Sequence, residues 1–220
     1  MRLEIKDLSL RYGTKKPLFQ RVDLTVDSGD FVLIHGPSGS GKSSFLRLPN
    51  RLQEPSSGDI LLDGKPVTRH NVTVLRRMVG YVQQTPAMAD GNIRTNLTMS
   101  FTFKAGRERQ QPDEDRLRGL LDDFLLQDVD LEDDSETLSV GQKQRIALIR
   151  TLLSEPRFLL CDEPTSALDP ESRSVVESWL ERLALEQNIG ILLVTHLDFT
   201  PVRVRARRYR LDGGLQEVSA

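Results

Sequence analysis

Eight consecutive residues, Gly36-Pro37-Ser38-Gly39-Ser40-Gly41-Lys42-Ser43, fit the pattern G-x-x-x-x-G-K-[ST], which leaves the surrounding chain few ways to fold. Phe31-Val32-Leu33-Ile34 runs into the pattern as a buried strand, and Ser44-Phe45-Leu46-Arg47-Leu48 leaves it as the start of a helix. Strand, glycine loop and helix in that order is the context in which such a loop wraps a phosphate chain. Gly36, Gly39 and Gly41 let the backbone curl until several N–H groups face one point. The helix adds the partial positive charge of its N-terminus. Lys42 reaches a triphosphate tail as a point charge, and Ser43 offers a hydroxyl to Mg²⁺. The expected nucleotide contacts are thus Gly36, Pro37, Ser38, Gly39, Ser40, Gly41, Lys42, Ser43 and Ser44. A glycine turn that binds nothing is the competing reading, and the flanking strand and helix count against it.

A chain of 220 residues, 38% hydrophobic, has room for one large domain or for a core with a smaller lobe. The net charge of −2 gives no overall basic field, so nucleic acid is not an expected partner. One cysteine, Cys161, leaves no intrachain disulfide to form and suits a reducing cytosol. The longest apolar runs, such as Ile191-Leu192-Leu193-Val194, are strand-sized and too short to cross a bilayer. The N-terminus alternates apolar and charged residues as a strand does, unlike a signal peptide.

Leu3-Glu4-Ile5-Lys6, Leu8-Ser9-Leu10 and Val22-Asp23-Leu24-Thr25-Val26 alternate as antiparallel strands with one wet face, so the chain opens with a small antiparallel sheet. Residues 60–62 and 78–82 read as further strands, and 72–77 as a short helix. From 87 to 137 apolar runs are few and charges many. Leu117, Leu120, Leu121, Phe124 and Leu125 mark an amphipathic helix there, begun by Pro112 and Asp113. This span is expected to be a helical lobe inserted into an α/β core, with the acidic run 122–136 as a solvated loop. Ser139 then N-caps a helix to about 154, and Pro170 starts another that reaches 187. Phe158-Leu159-Leu160-Cys161 and 191–195 are apolar strands of the kind buried on both faces, and their alternation with helices predicts a parallel sheet. The arginines at 203, 205, 207, 208 and 210 read as a solvated face, with contact to phospholipid headgroups or a partner as the sharper alternative.

Four buried runs each end in a polar group: the glycine loop, Gln84, Asp162-Glu163 and His196. Open parallel sheets bind ligands beyond the carboxyl ends of their strands. Asp162 suits a Mg²⁺ partner acting through water. Glu163, one residue on, is placed to polarise an attacking water, or else only balances charge. His196 reads as a satisfied buried histidine or as a donor to the γ-phosphate or the water. Tyr12 reads as a strand-end aromatic packed on the core or as a ring stacked on adenine. The expected chemistry is in-line phosphoryl transfer, with Glu163, His196 and Lys42 as catalytic residues.

These residues closely resemble the ATP-binding cassette (ABC) ATPases. The resemblance runs in order through Tyr12, the loop 36–43, Gln84, Leu138-Ser139-Val140-Gly141-Gln142, 158–163, Ser166-Ala167-Leu168-Asp169 and His196, over essentially the whole chain. It implies a P-loop NTPase core with a mostly parallel sheet (1–86 and 138–220, with an N-terminal antiparallel part) and the inserted helical lobe at 87–137, all one ABC ATPase domain. Further roles follow from the resemblance alone. Tyr12 stacks on adenine. Gln84 senses Mg²⁺ and couples to a membrane partner, so the implied metal set is Ser43, Gln84 and Asp162. Ser139, Gly141 and Gln142 contact the γ-phosphate of ATP on a second subunit, and residues 166–169 cross between the subunits. ATP and Mg²⁺ are the implied cofactors. The implied partners are a second ATPase subunit, head to tail, and a membrane permease, with the chain on the cytoplasmic face of a membrane, most simply a bacterial inner one. The family has glycine where this chain has Val140, and a β-branched residue resists positive φ. Gln84-Thr85-Pro86, Asn96-Leu97 and 143–150 also resemble ATPase subunits of bacterial iron-efflux transporters.

The reading is an ATPase that energises a separate permease. Two rivals differ in class. A soluble ABC ATPase of DNA repair or translation usually carries a long coiled coil, a zinc module or a second cassette. Here 120 residues separate Lys42 from Asp162, with no heptad run and no cysteine cluster. A regulator that binds ATP and barely turns it over has Val140 as its support.

Overall fold

A strand that keeps a strict two-residue period cannot bury both Leu3–Ile5 and Leu8–Leu10, because the step from 5 to 8 is odd. The computed structural model, which describes residues 1–14, 16–103 and 109–218, buries all four through a bulge. One strand, β1 (Arg2–Leu10), replaces the two expected. Asp7 turns to φ +48°, and the pairing slips there against both neighbouring strands. A bulge leaves one residue unpaired and flips the facing of everything beyond it, which the apolar pattern demands.

The remaining elements follow in chain order: β2 (Phe19–Asp27), β3 (Phe31–His35), α1 (Lys42–Arg47), β4 (Ser57–Leu62), β5 (Lys65–Pro66), α2 (Val72–Met78), β6 (Val79–Val82), α3 (Ile93–Thr102), α4 (Glu114–Asp123), α5 (Val140–Leu152), β7 (Phe158–Asp162), α6 (Pro170–Gln187), β8 (Gly190–Val194), β9 (Ala206–Leu211) and β10 (Leu215–Val218). An antiparallel sheet has the order β2-β1-β4-β5, and a second sheet the order β10-β9-β3-β8-β7-β6. In the second, β9, β3, β8, β7 and β6 run parallel, and β10 returns antiparallel beside β9.

The apolar runs of β3, β7 and β8 are buried throughout because both faces of this sheet are covered. Phe31, Leu33, Leu159 and Cys161 face the core shared with α3, α4, α5 and α6, whereas Val32, Ile34, Phe158 and Leu160 face the core shared with the antiparallel sheet and α1. The register aligns Ile34 and Asp162 with Val194, and Val82 with Cys161, so the carboxyl ends of β3, β6, β7 and β8 finish level at one edge. Ser139 caps α5 through a capping box with Gln142, and Pro170 sits in the first turn of α6, as the sequence predicts.

Two local expectations change. α4 stops at Asp123, and Leu125 leaves the apolar stripe in a left-handed turn (φ +54°) while Leu126 becomes fully buried. The arginine-rich segment is a strand, not only a solvated face. β9 buries Tyr209 and Leu211, Arg207 pairs with Asp30 at 2.7 Å, and Arg208 donates to the Phe199 carbonyl at 3.2 Å. Arg203, Arg205 and Arg210 stay exposed. Within 87–137 the described residues hold α3, α4 and a 3-10 turn at Ser135–Thr137; residues 104–108 of that span lie outside the described residues.

The bulge is locked by Gly58 on β4, at φ +89°, where a Cβ would lie 2.4 Å from the Asp7 carbonyl oxygen. Gly64 has a similar φ of +73° but open space around it. Gly58→Ala is expected to lower stability by about 2–4 kcal/mol in urea unfolding, against about 1 kcal/mol for Gly64→Ala. Equal losses would remove the close approach as the reason for glycine at 58.

Candidate active site

The loop 36–43 joins β3 to α1 at the edge where the parallel strands end. Gly39 and Gly41 take φ of +81° and +95°, a region closed to most side-chain-bearing residues. Pro37, Ser38 and Gly39 are exposed, while Ser40 is buried with no hydrogen-bond partner for its hydroxyl. No side chain caps α1 at Gly41. The Lys42 ammonium folds back over its own loop and donates to the Gly36 and Pro37 carbonyls at 2.9 and 3.0 Å. An ammonium has three donors, so one remains beyond these two, and the pair are neutral acceptors that an anion would outcompete.

Asp162 ends β7 at 1% exposure. A buried carboxyl needs donors, and two neighbouring elements supply them. Ser43 Oγ on α1 donates to Oδ1 at 2.9 Å, and Tyr81 OH on β6 donates to Oδ2 at 2.9 Å. Arg47 Nε, on the last turn of α1, donates to the Tyr81 hydroxyl at 3.1 Å. Burial, reinforced by the charge of Asp162 and opposed by Arg47, pushes the Tyr81 phenol up to about 12, so it remains a neutral donor. Tyr81 and Arg47 are not among the residues expected from sequence. The available signal is a hydroxyl in an otherwise apolar strand, which has to find a partner when buried.

Ser43 Oγ and Asp162 Oδ1 are two hard oxygens side by side, the donor chemistry Mg²⁺ takes. Among the described residues no group of three or more His, Cys, Asp or Glu side chains is placed to hold a metal, so such an ion would complete its octahedron with phosphate oxygens and water. Gln84, expected with this pair, donates through Nε2 to Glu163 Oε2, on the residue next to Asp162, at 2.8 Å.

Glu163 is the second cluster. His196 Nδ1 lies 2.9 Å from the same Oε2, leaving Oε1 without a protein partner among the described residues. The Glu163 side chain is 15% exposed and the His196 ring 57%, so His196 is not a buried histidine. Glu163 holds φ +49°, fixed by its N–H on the Val194 carbonyl at 2.9 Å and by the Ser166 hydroxyl on its own carbonyl at 3.1 Å. Backbone strain of this kind gathers at working sites.

Tyr12 is 50% exposed, which removes the core-packing alternative. Its hydroxyl lies 3.0 Å from Ser44 Oγ and accepts from Gln53 Nε2 at 2.9 Å, holding the ring beside α1.

Ser139, Gly141 and Gln142 are not brought to the loop. Ser139 N–H donates to Gln142 Oε1 at 2.9 Å, Gln142 N–H donates to Ser139 Oγ at 3.2 Å, and Gln142 Nε2 reaches Asp128 at 3.1 Å. Among the described residues no hydrogen bond or ion pair joins 139–142 to 36–43. Because Ser139 Oγ accepts in its cap, its own proton remains free to donate outward. Val140 is the first helical residue, 59% exposed, and is not among the positive-φ positions, so a β-branched side chain meets no backbone obstacle there.

A family model described as "ABC transporter" matches residues 19–166. Protein STAR1 of Oryza sativa subsp. japonica is 39% identical over 89% of this chain, which spans 56% of STAR1. "Probable iron export ATP-binding protein FetA" of Escherichia coli (strain K12) is 36% identical over 88% of the chain and 84% of its own length. The methionine import ATP-binding protein MetN 1 of Pseudomonas syringae pv. syringae is 39% identical over 84% of the chain and 56% of its length. Among solved structures, the dimeric post-hydrolysis state of the ATP-binding cassette MJ0796 bound to ADP and Pi superposes with a TM-score of 0.80 at 26% identity, over 99% of both chains.

The capping box sets an expected outcome independent of any ligand. Ser139→Ala should lower unfolding stability by about 1 kcal/mol and Ser139→Gly by only a few tenths, read by chemical denaturation. Equal stability of Ser139→Ala and the parent would mean that the cap does not hold α5.

Proposed function

The chain belongs to the ABC transporter family of ATPases, and we propose that it binds and hydrolyses ATP to drive a membrane permease carried on a separate subunit. The observation that supports this most is the placement, at one sheet edge, of a donor-rich loop, a Ser43–Asp162 oxygen pair and a Glu163 with one free oxygen. We take 1–86 and 138–220 as the ATPase core and 87–137 as the lobe inserted into it.

On this reading the exposed Tyr12 ring stacks on adenine. The backbone N–H groups of 36–43 receive the phosphates, and Lys42 exchanges its two loop carbonyls for β- and γ-phosphate oxygens, a stronger charge-assisted contact. Ser43 and Asp162 would hold Mg²⁺. Mg²⁺ supplies charge neutralisation on the phosphate oxygens. Glu163 Oε1 orients the attacking water and takes its proton, while Gln84 and His196 fix the carboxylate through Oε2. The water oxygen forms a bond to the γ-phosphorus as the bond to the β–γ bridging oxygen breaks, and ADP and inorganic phosphate leave. His196, with Nδ1 engaged by Glu163, would offer Nε2 to the γ-phosphate as charge develops there.

Ser139, Gly141 and Gln142 lie apart from this chain's own loop, and the outward proton of Ser139 suits the γ-phosphate of ATP held by a second copy. That supports a head-to-tail pair with ATP between the chains. No helix among the described residues is long and apolar enough to cross a membrane; we assign the transport path to the permease and place the ATPase at the cytoplasmic face of the membrane. Relatives named for iron export and for methionine import match about equally, as expected if the permease, not this chain, recognises cargo. The residues resembling iron-efflux subunits are partly scaffold: Asn96 is fully buried and bonded to Ala89, and Arg145 donates to the Phe124 and Leu125 carbonyls. Iron export is the cargo to test first.

Glu163→Gln is expected to lower ATP turnover by about 10²–10⁴ while ATP binding survives, with an ATP-bound dimer accumulating in size-exclusion chromatography. Unchanged turnover would remove Glu163 as the base. Lys42→Ala should instead abolish tight binding itself, and tight ATP binding by that variant would overturn the loop assignment. Affinity purification from solubilised native membranes is expected to bring a polytopic membrane protein in stoichiometric amount. Recovery of soluble partners alone would refute the transporter reading.

A further inference from the structure

Ser43 and Arg47 lie four residues apart on α1, hence on one face of the helix. Ser43 Oγ donates to Asp162 Oδ1 at 2.9 Å, Tyr81 OH donates to Asp162 Oδ2 at 2.9 Å, and Arg47 Nε donates to Tyr81 OH at 3.1 Å. The three bonds and one turn of helix make a closed circuit through α1, β7 and β6. From this circuit we infer that Tyr81 is a positioning residue of the site proposed above: it fixes the Asp162 carboxyl so that Oδ1 is presented to Ser43 and to the divalent cation, and Arg47 braces the Tyr81 hydroxyl. The inference rests on the ATPase reading.

The physical reason lies in the aspartate side chain. Its terminal torsion is broad and two-fold, so a carboxyl held at one oxygen swings about χ2. Held at both oxygens by donors on different elements, it does not. Asp162 is 1% exposed, so water does not readily replace a lost donor at Oδ2. The Tyr81 ring is partly buried against the core beneath the antiparallel sheet. Phenylalanine would keep that packing and remove only the hydroxyl, which separates positioning from folding. Arg47 is exposed; it hydrogen-bonds the Tyr81 hydroxyl, and its charge also reaches Asp162 through space.

Tyr81→Phe is the test, with two metal readouts: Mn²⁺ affinity of the ATP-bound protein by electron paramagnetic resonance, and the Mg²⁺ concentration for half-maximal turnover. Both should weaken by about tenfold, the size of one hydrogen bond to a charged group. Affinity for ATP in the presence of a chelator should stay within about twofold, because the loop and Lys42 are untouched, and the melting temperature within a few degrees. Arg47→Leu should shift the metal readouts less than Tyr81→Phe, because Arg47 braces the phenol at one remove while its charge also reaches Asp162 through space. Unchanged metal affinity in Tyr81→Phe overturns the inference. So does a parallel fall in metal affinity, chelated-ATP affinity and melting temperature, or a larger loss of metal affinity in Arg47→Leu than in Tyr81→Phe. A parent protein with neither metal-dependent turnover nor ATP-dependent Mn²⁺ binding overturns the functional reading and this inference with it. A parent that shows both, beside an indistinguishable Tyr81→Phe, overturns the inference alone.

Discussion

Asp162 sets the terms for its neighbours. A carboxyl at 1% exposure is stable only where donors surround it, and the donors come from β6 and α1. β6 must therefore run beside β7 with Tyr81 at the right height, and α1 must begin beside the end of β7 with its last turn reaching Tyr81. α1 reaches that place only if the chain leaves β3 in a tight loop, which Gly39 and Gly41 permit in left-handed backbone. The parallel order β3-β8-β7-β6 thus serves a local requirement, because it brings the loop, Tyr81 and Asp162 to one edge in register.

Glu163 follows immediately and meets the opposite demand. Where Asp162 turns inward to donors, Glu163 keeps one oxygen open. Its left-handed backbone costs about 1–2 kcal/mol for a side-chain-bearing residue. The turn takes it out of the alternation of β7. Val194 and Ser166 hold the backbone, and Gln84 and His196 meet at Oε2. The two adjacent carboxyl groups end in different surroundings because one closes a strand and the next closes a turn.

Much of this was legible in the sequence for definite reasons. Parallel strands covered on both faces are written as unbroken apolar runs, so β3, β7 and β8 stand out, and their polar endings name the loop, Asp162, Glu163 and His196. Ser139 and Pro170 carry their helix-start chemistry locally. What stayed hidden depends on contacts distant in sequence. Nothing near Tyr81 says that its hydroxyl meets a carboxyl 81 residues later, or that Arg47, 34 residues earlier, steadies it. Nor does the sequence say that Gln84, just past the end of β6, hydrogen-bonds Glu163, 79 residues on. β9 was masked because its arginines outnumber the two residues it buries, and the bulge at Asp7 because an odd step in an apolar pattern looks like a break.

The capped start of α5 has a further consequence. Ser139, Gly141 and Gln142 share no hydrogen bond with the loop 36–43 of their own chain among the described residues, so in the proposed pair each nucleotide is completed by a neighbour. Activity would then be a property of encounters between copies. Specific activity would fall on dilution, and a chain with a ruined loop would still lend its α5 to a sound partner. In a mixture of sound copies with ones crippled at both places, fully competent pairs would decline as the square of the sound fraction, so a small minority of defective subunits would disable nearly twice its own share of assemblies.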